Sequence, residues 1–540
     1  MTLGDPNPAR KQTAHDKEFF DLEDFEQRII SAYNQGHAAS SLPADVVHAR
    51  SLIGPASGRF RDFSYIATEI PEFIAENCVG CMDCVTMCPD TAILGKVVRE
   101  EALEEALLGM DKSDADGMRA MWPRVNKYWK NRKRKGEEPG RFGIFIDPSK
   151  CKGCAECVDV CGSKDALAMV SKEKKGDEAH RREWEFYIGM GETEQQFVNE
   201  RSPMDIMLRK EALLYVGGAG SCAGCGEATA LRMMAAATGY DYGADSFAVV
   251  NSTGCSTVYG STYPYNPWAV PWTNSLFENG PTDAMGVRAR WDQIGWDDKR
   301  LWVVGGDGAL YDIGFGALSR MLASGMDIKV LVLDTQVYSN TGGQTSTATF
   351  TGQSSKMYPH GSVIAGKQEF RKELGAIAAM HPNTYVAQTV TSLPNHFYRA
   401  IRGANEFKGP AVVSVYTTCQ PEHGVADDAS YERANLALKT RTWPIFIHDP
   451  RKGPRFQDRW DLRGNPSPNK DWHSLRHDDG SRRELRFRDF AIGEGRFSKQ
   501  FDTDGTPSET ILIAEQDRLA FWNRLQDMSG IERIIESSDD

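Results

Sequence analysis

Twelve cysteines stand out among the 540 residues, because eight of them form two runs with identical spacing. Three thiolates at two-residue gaps wrap a loop around one face of an iron–sulfur cubane, and the fourth thiolate points away and ligates the other cluster. The spacing therefore predicts two [4Fe–4S] clusters and disfavours a pair of zinc knuckles. The predicted ligand sets are Cys78, Cys81, Cys84 and Cys161 for one cluster, and Cys151, Cys154, Cys157 and Cys88 for the other.

The other four cysteines lie further along the chain and follow no common spacing rule. Cys222 and Cys225 flank Ala-Gly in a glycine-rich turn, Cys255 follows a strand-like run in NSTGCST, and Cys419 ends another in VYTTC. A CxxC pair alone fits a redox dithiol or half of a zinc site. Because ligands gather at the carboxyl ends of strands in open α/β sheets, we expect a third [4Fe–4S] cluster, with structural zinc as the alternative.

A second kind of site is indicated where strand-like runs end in glycine and oxygen-bearing side chains. The run LWVVGGDGALYDIGFGAL passes through Asp307 into a probable helix, an arrangement of glycines and helix N-terminus that favours a diphosphate. The next strand-like run, IKVLVLDT, ends at Thr335, 28 residues after Asp307. A carboxylate, a hydroxyl, a backbone carbonyl, two diphosphate oxygens and water complete an octahedral Mg²⁺. The alternative to this Mg²⁺ site is that the two segments form unrelated turns.

The pattern along the chain divides it into four parts. Residues 1–60 are polar and are predicted to form an N-terminal arm, and residues 61–200 are predicted to form a bacterial-ferredoxin-like α+β domain with an insert. Over residues 201–425, short apolar strands alternate with helix-like segments, which predicts a doubly wound parallel α/β sheet. Residues 426–540 lose this alternation and are predicted to form an irregular C-terminal arm or extension.

Composition excludes several classes of function. The net charge of −12, from 63 basic and 75 acidic residues, argues against a nucleic-acid partner. The chain shows neither a secretory h-region nor about 18 consecutive apolar residues, so we expect a cytoplasmic location and no membrane span. Cytoplasmic thiols stay reduced, which favours metal binding over disulfides. The basic run over residues 130–135 is a solvated loop or a docking site for an acidic redox carrier.

Taken in order, these motifs resemble the C-terminal half of pyruvate:ferredoxin (flavodoxin) oxidoreductase, or a beta-type subunit with a fused ferredoxin domain. The resemblance spans roughly residues 70–425, with WPIFIHDPR near residue 443 added, and implies a thiamine-diphosphate-binding sheet, three [4Fe–4S] clusters and Mg²⁺. Two-subunit 2-oxoglutarate enzymes share the diphosphate motif but not the eight-cysteine module. The matching segments are CVGCMDCVTMCP, CKGCAECVDVC, SCAGCGE, NSTGCSTVYGS, WTNSLFENG, GGDGALYDIGFGAL, YSNTGGQTS and VYTTCQPEHG.

Carried over residue by residue, the resemblance implies roles in the site. Glu227 and Asn340 are the implied catalytic residues, because Glu227 contacts the cofactor and Asn340 reaches the bound 2-oxoacid. The implied Mg²⁺ ligands are Asp307, the Thr335 side chain and the carbonyl of Val337. The cluster nearest the thiamine is held by Cys222, Cys225, Cys255 and Cys419. The implied cofactor contacts are Glu227, Cys255, Gly306, Asp307, Gly308, Ala309, Thr335, Gln336, Val337, Tyr338, Ser339 and Asn340.

The implied activity is oxidative decarboxylation of pyruvate with coenzyme A to acetyl-CoA and CO₂, or its reverse, with electrons passing through three clusters to ferredoxin or flavodoxin. The alternatives are the same chemistry on 2-oxoglutarate, a branched oxoacid or sulfopyruvate, and, more remotely, an electron-transfer module alone. In the family the activating glutamate, the pyruvate-binding threonine and arginine, and the coenzyme A domain lie in the N-terminal half, which no segment here matches. We therefore expect a partner chain that carries that half, a higher oligomer of the pair, and no turnover by this chain alone.

Overall fold

The computed structural model of the chain describes residues 22–42, 52–175, 177–199, 201–358, 364–476 and 479–534. In the N-terminal part, helical turns over Leu22–Asp24, Phe25–Ile30 and Ser31–Asn34 bury Phe25, Ile29 and Ile30 against Tyr263 and Tyr265 of the same chain. This arm therefore packs on its own chain over the described residues. None of the described helices is long and apolar enough to cross a lipid bilayer.

The two cysteine runs lie in a small α+β unit made of two-stranded antiparallel sheets and short helices. Its elements are β1 (Glu69–Phe73), α1 (Asp83–Met87), β2 (Ile93–Val98), α2 (Glu100–Ala106), α3 (Lys112–Ala120), β3 (Arg141–Ile146), α4 (Glu156–Cys161), β4 (Leu167–Ser171) and α5 (Asp177–Gly189). β1 pairs with β4, and β2 pairs with β3. Because β2 and β3 pair, the insert between them, which carries α2 and α3, begins and ends at adjacent strands and does not separate the two cysteine runs. Leu103 of α2 and Ala115 of α3 pack in the core of the same unit.

A larger α/β unit follows. Its strands are β5 (Phe247–Ser252), β6 (Trp272–Ser275), β7 (Arg300–Gly306), β8 (Lys329–Asp334), β9 (Tyr385–Val390), β10 (Ala411–Tyr416), β11 (Phe446–His448) and β12 (Trp460–Asp461). Within the described residues they form one sheet in the order β12-β11-β9-β10-β8-β7-β5-β6. The strands from β9 to β6 in this order are parallel. β11 and β12 extend the β9 edge in antiparallel fashion.

Both faces of this sheet are buried. Val304 of β7 and Leu331 of β8 join a core that continues into the ferredoxin-like unit, while Val303 and Val330 join the core on the opposite face. Helices cover each face, which confirms the predicted doubly wound α/β fold. The helices are α6 (Gly226–Tyr242), α7 (Cys255–Gly260), α8 (Asn279–Gln293), α9 (Phe315–Ser324), α10 (Leu374–Ala379) and α11 (Pro394–Glu406).

The C-terminal segment is more regular than its sequence indicates. Besides β11 and β12, it contains α12 (Ser430–Lys439), β13 (His473–Arg476), β14 (Arg482–Leu485), α13 (Phe487–Ala491) and α14 (Glu509–Ser529). Phe521, Trp522 and Leu525 of α14 are buried in the core on the second face of the sheet. These apolar residues recur at helical spacing among many charged ones, so the composition of the segment does not predict the helix.

Candidate active site and cluster-binding sites

Two small cavities in the ferredoxin-like unit are each lined by four cysteines. One is lined by the outer set, which we define as Cys78, Cys81, Cys84 and Cys161. The other is lined by the inner set, which we define as Cys88, Cys151, Cys154 and Cys157. The structure thus groups the cysteines as the spacing predicts, with the fourth cysteine of each run facing the cavity of the other run. That these sets ligate clusters stays a prediction.

The two cysteine loops have the same backbone conformation. Gly80 and Gly153 occupy equivalent places with φ of 72° and 73°, and the non-glycine residues Met82 and Ala155 follow with φ of 72° and 65°. A left-handed conformation is uncommon for residues with a side chain and persists only where the surrounding structure requires it. Here it wraps each loop around its cavity, as a cubane requires.

The sulfur atoms of each set interact with their surroundings as cluster ligands should. The amide of Ala92 donates to Sγ of Cys88 at 3.3 Å, and the amide of Ala166 donates to Sγ of Cys161 at 3.4 Å. Burial raises the pKa of Cys84 well above its ordinary value, and the neighbouring thiols of the outer set raise it further. Four thiols converge on each cavity, and a buried thiol such as Cys84 that resists ionisation fits a group whose iron atoms stabilise the thiolate form.

The remaining four cysteines meet at the carboxyl edge of the large sheet. Cys255 begins α7 just after β5, Cys419 follows β10, and Cys222 and Cys225 precede α6. These four, which we call the edge set, line one cavity of about 210 Å³ together with Glu227, Tyr259, Thr335, Ser339 and Asn340. Parallel strands bring their carboxyl ends to one edge, which explains why residues so distant in sequence share one cavity.

Beside this cavity, the three predicted Mg²⁺ ligands converge. The Thr335 hydroxyl lies 3.2 Å from Oδ1 of Asp307 and 3.0 Å from the carbonyl oxygen of Val337. All three residues are buried. Burial raises the pKa of Asp307 well above its usual range, and the Asp334 carboxylate raises it further, whereas a bound cation favours the ionised form. A carboxylate, a hydroxyl and a carbonyl within this distance suit a hard divalent cation.

Two residues that support this site were not predicted. The Ser346 hydroxyl donates to Oδ2 of Asp307, and Nε2 of His423 lies 2.8 Å from the backbone oxygen of Thr335. Burial lowers the pKa of His423 well below its ordinary value, so this histidine is neutral and can donate one N–H to that oxygen. Ser346 lies in the segment YSNTGGQTS and His423 lies in VYTTCQPEHG. The two segments that carry the family resemblance therefore already contained both supporting residues.

Glu227 faces the edge-set cavity from the first turn of α6. Burial raises its pKa to about 7, although the Tyr259 hydroxyl donates to its Oε2 at 2.9 Å. Tyr259 lies on α7, four residues after Cys255, and was not predicted. The pair places one acid group and one hydroxyl beside the edge set.

Several predicted cofactor contacts do not line this cavity. Gly306, Asp307, Gly308, Ala309, Gln336, Val337 and Tyr338 are absent from its lining. The Gln336 side chain points into the core, where its Oε1 accepts a hydrogen bond from Nη1 of Arg496 at 2.9 Å. The Tyr338 hydroxyl donates to Asp312 at 2.8 Å, and its ring lies over Gly308, where a Cβ would approach that ring to 2.7 Å. Gly308 is therefore needed for packing, and the Gln336 side chain is a core group.

A buried lysine joins the inner set to the edge set. Nζ of Lys152, next to Cys151, donates to Oδ1 of Asp90 at 2.6 Å, to the carbonyl of Ala219 at 2.9 Å and to the carbonyl of Ser221 at 2.8 Å. Ser221 immediately precedes Cys222 of the edge set. The lysine thus ties together backbone segments that carry cysteines of two different sets.

A larger groove of about 760 Å³ beside β11 and β12 contains none of the predicted site residues.

Comparisons with known proteins bear on both units. A family model for the C-terminal TPP-binding domain of thiamine pyrophosphate enzymes matches residues 252–415, and a 4Fe-4S dicluster domain model matches residues 77–164. Pyruvate synthase subunit PorB of Pyrococcus furiosus is 38% identical over 43% of this chain and 71% of its own length. The probable pyruvate-flavodoxin oxidoreductase of Escherichia coli (strain K12) is 28% identical over 77% of this chain and 39% of its own length.

The chain thus spans about two fifths of the length of the long curated relatives that it matches. Among solved structures, a 2-oxoglutarate:ferredoxin oxidoreductase from Magnetococcus marinus aligns with a TM-score of 0.33 and 23% identity. That alignment covers 38% of this chain and 65% of the other.

Proposed function

This chain belongs to the pyruvate:ferredoxin (flavodoxin) oxidoreductase family, and we propose that it is the thiamine-diphosphate-binding, electron-transferring subunit of such an enzyme. It is a 2-oxoacid oxidoreductase by family. The proposed reaction is oxidative decarboxylation of pyruvate with coenzyme A to acetyl-CoA and CO₂, or the reverse. The proposed carriers are three [4Fe–4S] clusters inside the chain and an external ferredoxin or flavodoxin.

One observation supports this function above the others. Thr335 belongs both to the group of oxygen atoms around Asp307 and to the cavity lined by the edge set. The residues that would hold a diphosphate through Mg²⁺ and the residues that would hold a cluster are therefore neighbours. Coupling of 2-oxoacid chemistry to single-electron transfer needs this proximity between cofactor and cluster.

The residues of this chain bind and orient the reacting groups. Thiamine diphosphate, when bound, supplies an electron sink for the decarboxylation of a 2-oxoacid. Asp307, the Thr335 hydroxyl and the Val337 carbonyl would hold the Mg²⁺ that fixes its diphosphate, while the edge set would hold a cluster beside it. Glu227 presents its carboxyl group to the same cavity, and Asn340 lies exposed at its mouth, where it can contact the substrate.

The contacts between the cysteine sets support an order for electron transfer. Lys152 links the segments that carry Cys151 and Cys222, so the inner set is the neighbour of the edge set. The outer set is nearer the solvent than the inner set, because Cys78 and Cys81 are partly exposed and Val79, which lines the outer-set cavity, is 49% exposed. We assign the route as edge cluster, inner cluster, outer cluster and then the external carrier.

The surface around the edge-set cavity supports a partner on this side. Val258, which lines the cavity, is 50% exposed, Leu276 at the same sheet edge is 60% exposed, and Cys222 is exposed. An apolar surface beside a polar site is typical of a protein interface. We assign it to the chain that supplies the family's activating glutamate and its pyruvate-binding residues.

The experiment is a viologen-reduction assay under anaerobic conditions. The chain, alone or with the protein that co-purifies with it, is supplied with thiamine diphosphate, Mg²⁺, coenzyme A and one 2-oxoacid at a time. We expect reduction with pyruvate, much less with 2-oxoglutarate, and only in the presence of the partner. Substantial turnover by the chain alone would contradict the proposal that this chain supplies only half of the active site. Faster turnover with another 2-oxoacid would contradict pyruvate as the substrate.

A further inference from the structure

Arg232 is a buried guanidinium that forms no ion pair with a carboxylate in the part of the chain that the structure describes. It lies on α6, seven residues after Cys225, and is 1% exposed. Its Nη1 donates to the carbonyls of Val85, Thr86 and Cys88, the last two at 3.3 and 3.2 Å. These carbonyls lie at the C-terminal end of α1, where the helix dipole favours a cation.

The remaining nitrogen atoms of Arg232 have no acceptor in the part of the chain that the structure describes. Nε and Nη2 are buried and have no hydrogen-bond acceptor among the described residues. Asp90, the carboxylate that acts most strongly on this guanidinium, is already bound by Lys152 at 2.6 Å. Arginine stays protonated when buried, and an unbalanced charge in the interior is strongly unfavourable. Another anion must therefore balance Arg232.

The cysteine sulfurs can supply that anion once they bind a cluster as thiolates, and the hydrogen bond from Nη1 of Arg232 to the carbonyl of Cys88 places the guanidinium beside one of them. Cys88 of the inner set acts on Arg232 more strongly than any other charged group, and Cys84 of the outer set acts on it more weakly. A [4Fe–4S] cluster with four thiolate ligands is anionic, and its reduction adds one electron without gain or loss of a proton or a ligand. A fixed cation in a low-dielectric interior stabilises that added charge, and local charge is one of the determinants of cluster potential.

We propose that Arg232 is the counter-ion of the inner cluster and raises its reduction potential. The inner cluster then accepts an electron from the edge cluster more readily than its thiolate ligands alone would allow. Arg232 is thus a positioning residue that acts through the charge on the cluster, and no cysteine motif identifies it. The inference rests on the cluster assignment of the proposed function.

The test is an anaerobic potentiometric titration, followed by EPR, of the whole chain and its Arg232→Met and Arg232→Lys variants. Dithionite and mediators set the potential, and neither thiamine diphosphate nor a 2-oxoacid is added. We expect one reduction step to move to a lower potential in Arg232→Met, further than the other steps. Arg232→Lys keeps the charge and should move that step less. Arg288→Met is the matched control, because Arg288 is equally buried but lies on α8, on the opposite face of the sheet.

Each outcome decides the question. Equal shifts in Arg232→Met and Arg232→Lys, or no shift in either, would overturn the proposal, because charge would then not be the cause. If Arg232→Met does not assemble the inner cluster, iron content decides: Arg232→Lys is expected to retain that cluster, and its loss from both variants would overturn the proposal. A wild-type chain without iron would refute the cluster assignment itself, which separates failure of the proposed function from failure of this inference.

Discussion

The Thr335 hydroxyl lies 3.2 Å from a carboxylate oxygen of Asp307, although 28 positions separate the two residues. They meet because β7 and β8 are adjacent parallel strands, and each residue lies directly beyond the carboxyl end of its strand. The connection between the strands contains α9 and returns the chain to the same edge. The proposed Mg²⁺ site is therefore a product of sheet topology, and its two side chains can be tested separately.

Asp307→Ala is expected to abolish retention of thiamine diphosphate and to leave the iron content unchanged, because it removes the charged ligand of the proposed Mg²⁺ site and no cysteine. Thr335→Ala removes a neutral ligand and should weaken retention less. The measurement is thiamine diphosphate and iron per chain after gel filtration with Mg²⁺. Asp241→Ala, at a partly exposed carboxylate paired with Arg402, is the matched control. Normal retention by Asp307→Ala would show that the cofactor binds elsewhere.

Three sets of four cysteines predict about twelve iron and about twelve sulfide per chain purified without oxygen. Cys419→Ser is expected to remove about four of each, because it breaks the edge set and leaves the outer and inner sets complete. The measurement is chemical iron and sulfide analysis combined with EPR of the reduced protein. Wild-type protein with about eight iron and stoichiometric zinc would contradict the edge cluster while leaving the ferredoxin-type clusters in place.

Lys152→Met should destabilise the junction between the inner and edge sets by about 3–5 kcal/mol, because it leaves the buried Asp90 without its cation. Adding Asp90→Asn to this variant removes the unpaired charge and should restore part of the loss. The measurement is the denaturant midpoint of unfolding, taken anaerobically for both single variants and the double variant. Lys210→Met breaks an exposed pair with Glu192, and because water and salt screen that pair, the midpoint should stay close to that of the wild type. Additive losses in the double variant would contradict the coupling of Lys152 and Asp90.

His396 should make the stability of the chain depend on pH. Burial lowers its pKa from 6.5 to about 3, and its Nδ1 lies 2.8 Å from Oγ1 of Thr389. The unfolded chain therefore takes up a proton at a higher pH than the folded chain. The contribution to stability is complete above about pH 6.5 and is lost as the pH falls toward 3.

Between about pH 7.5 and 5.5 this loss amounts to roughly 1.4 kcal/mol. His396→Gln is expected to reduce the pH dependence of the free energy of unfolding, measured by denaturant titration at each pH, by that amount. An unchanged slope in His396→Gln would show that this histidine is not the source.

The parts of the site that follow from spacing or topology were predictable from sequence. The grouping of Cys88 with the second cysteine run follows from the geometry of a short loop and its helix, and the meeting of Asp307 with Thr335 follows from a parallel sheet. The clusters, the thiamine diphosphate and the Mg²⁺ themselves remain predictions that the experiments above test.

Side-chain directions and distant supports were not predictable. Gln336 has a φ of 58°, and its side chain points toward Arg496 in the C-terminal segment. No local sequence pattern predicts this backbone conformation. In the sequence, Arg232 is one charged residue in an alanine-rich helix. Only the folded structure shows that it contacts the carbonyls that follow Cys84. Ser346 contacts Asp307 although 39 positions separate them in the chain.

The antiparallel strand β11 has a consequence for how the molecule is synthesised. It closes the edge of β9, yet it lies more than fifty residues after β9 in the chain, behind β10 and α12. During translation the hydrogen-bonding groups of β9 on that side therefore emerge from the ribosome without a partner, and unpaired strand edges readily recruit other chains. Truncation near residue 425, which would preserve every cysteine, would make that temporary exposure permanent, so such a fragment should aggregate even with all of its predicted metal ligands intact.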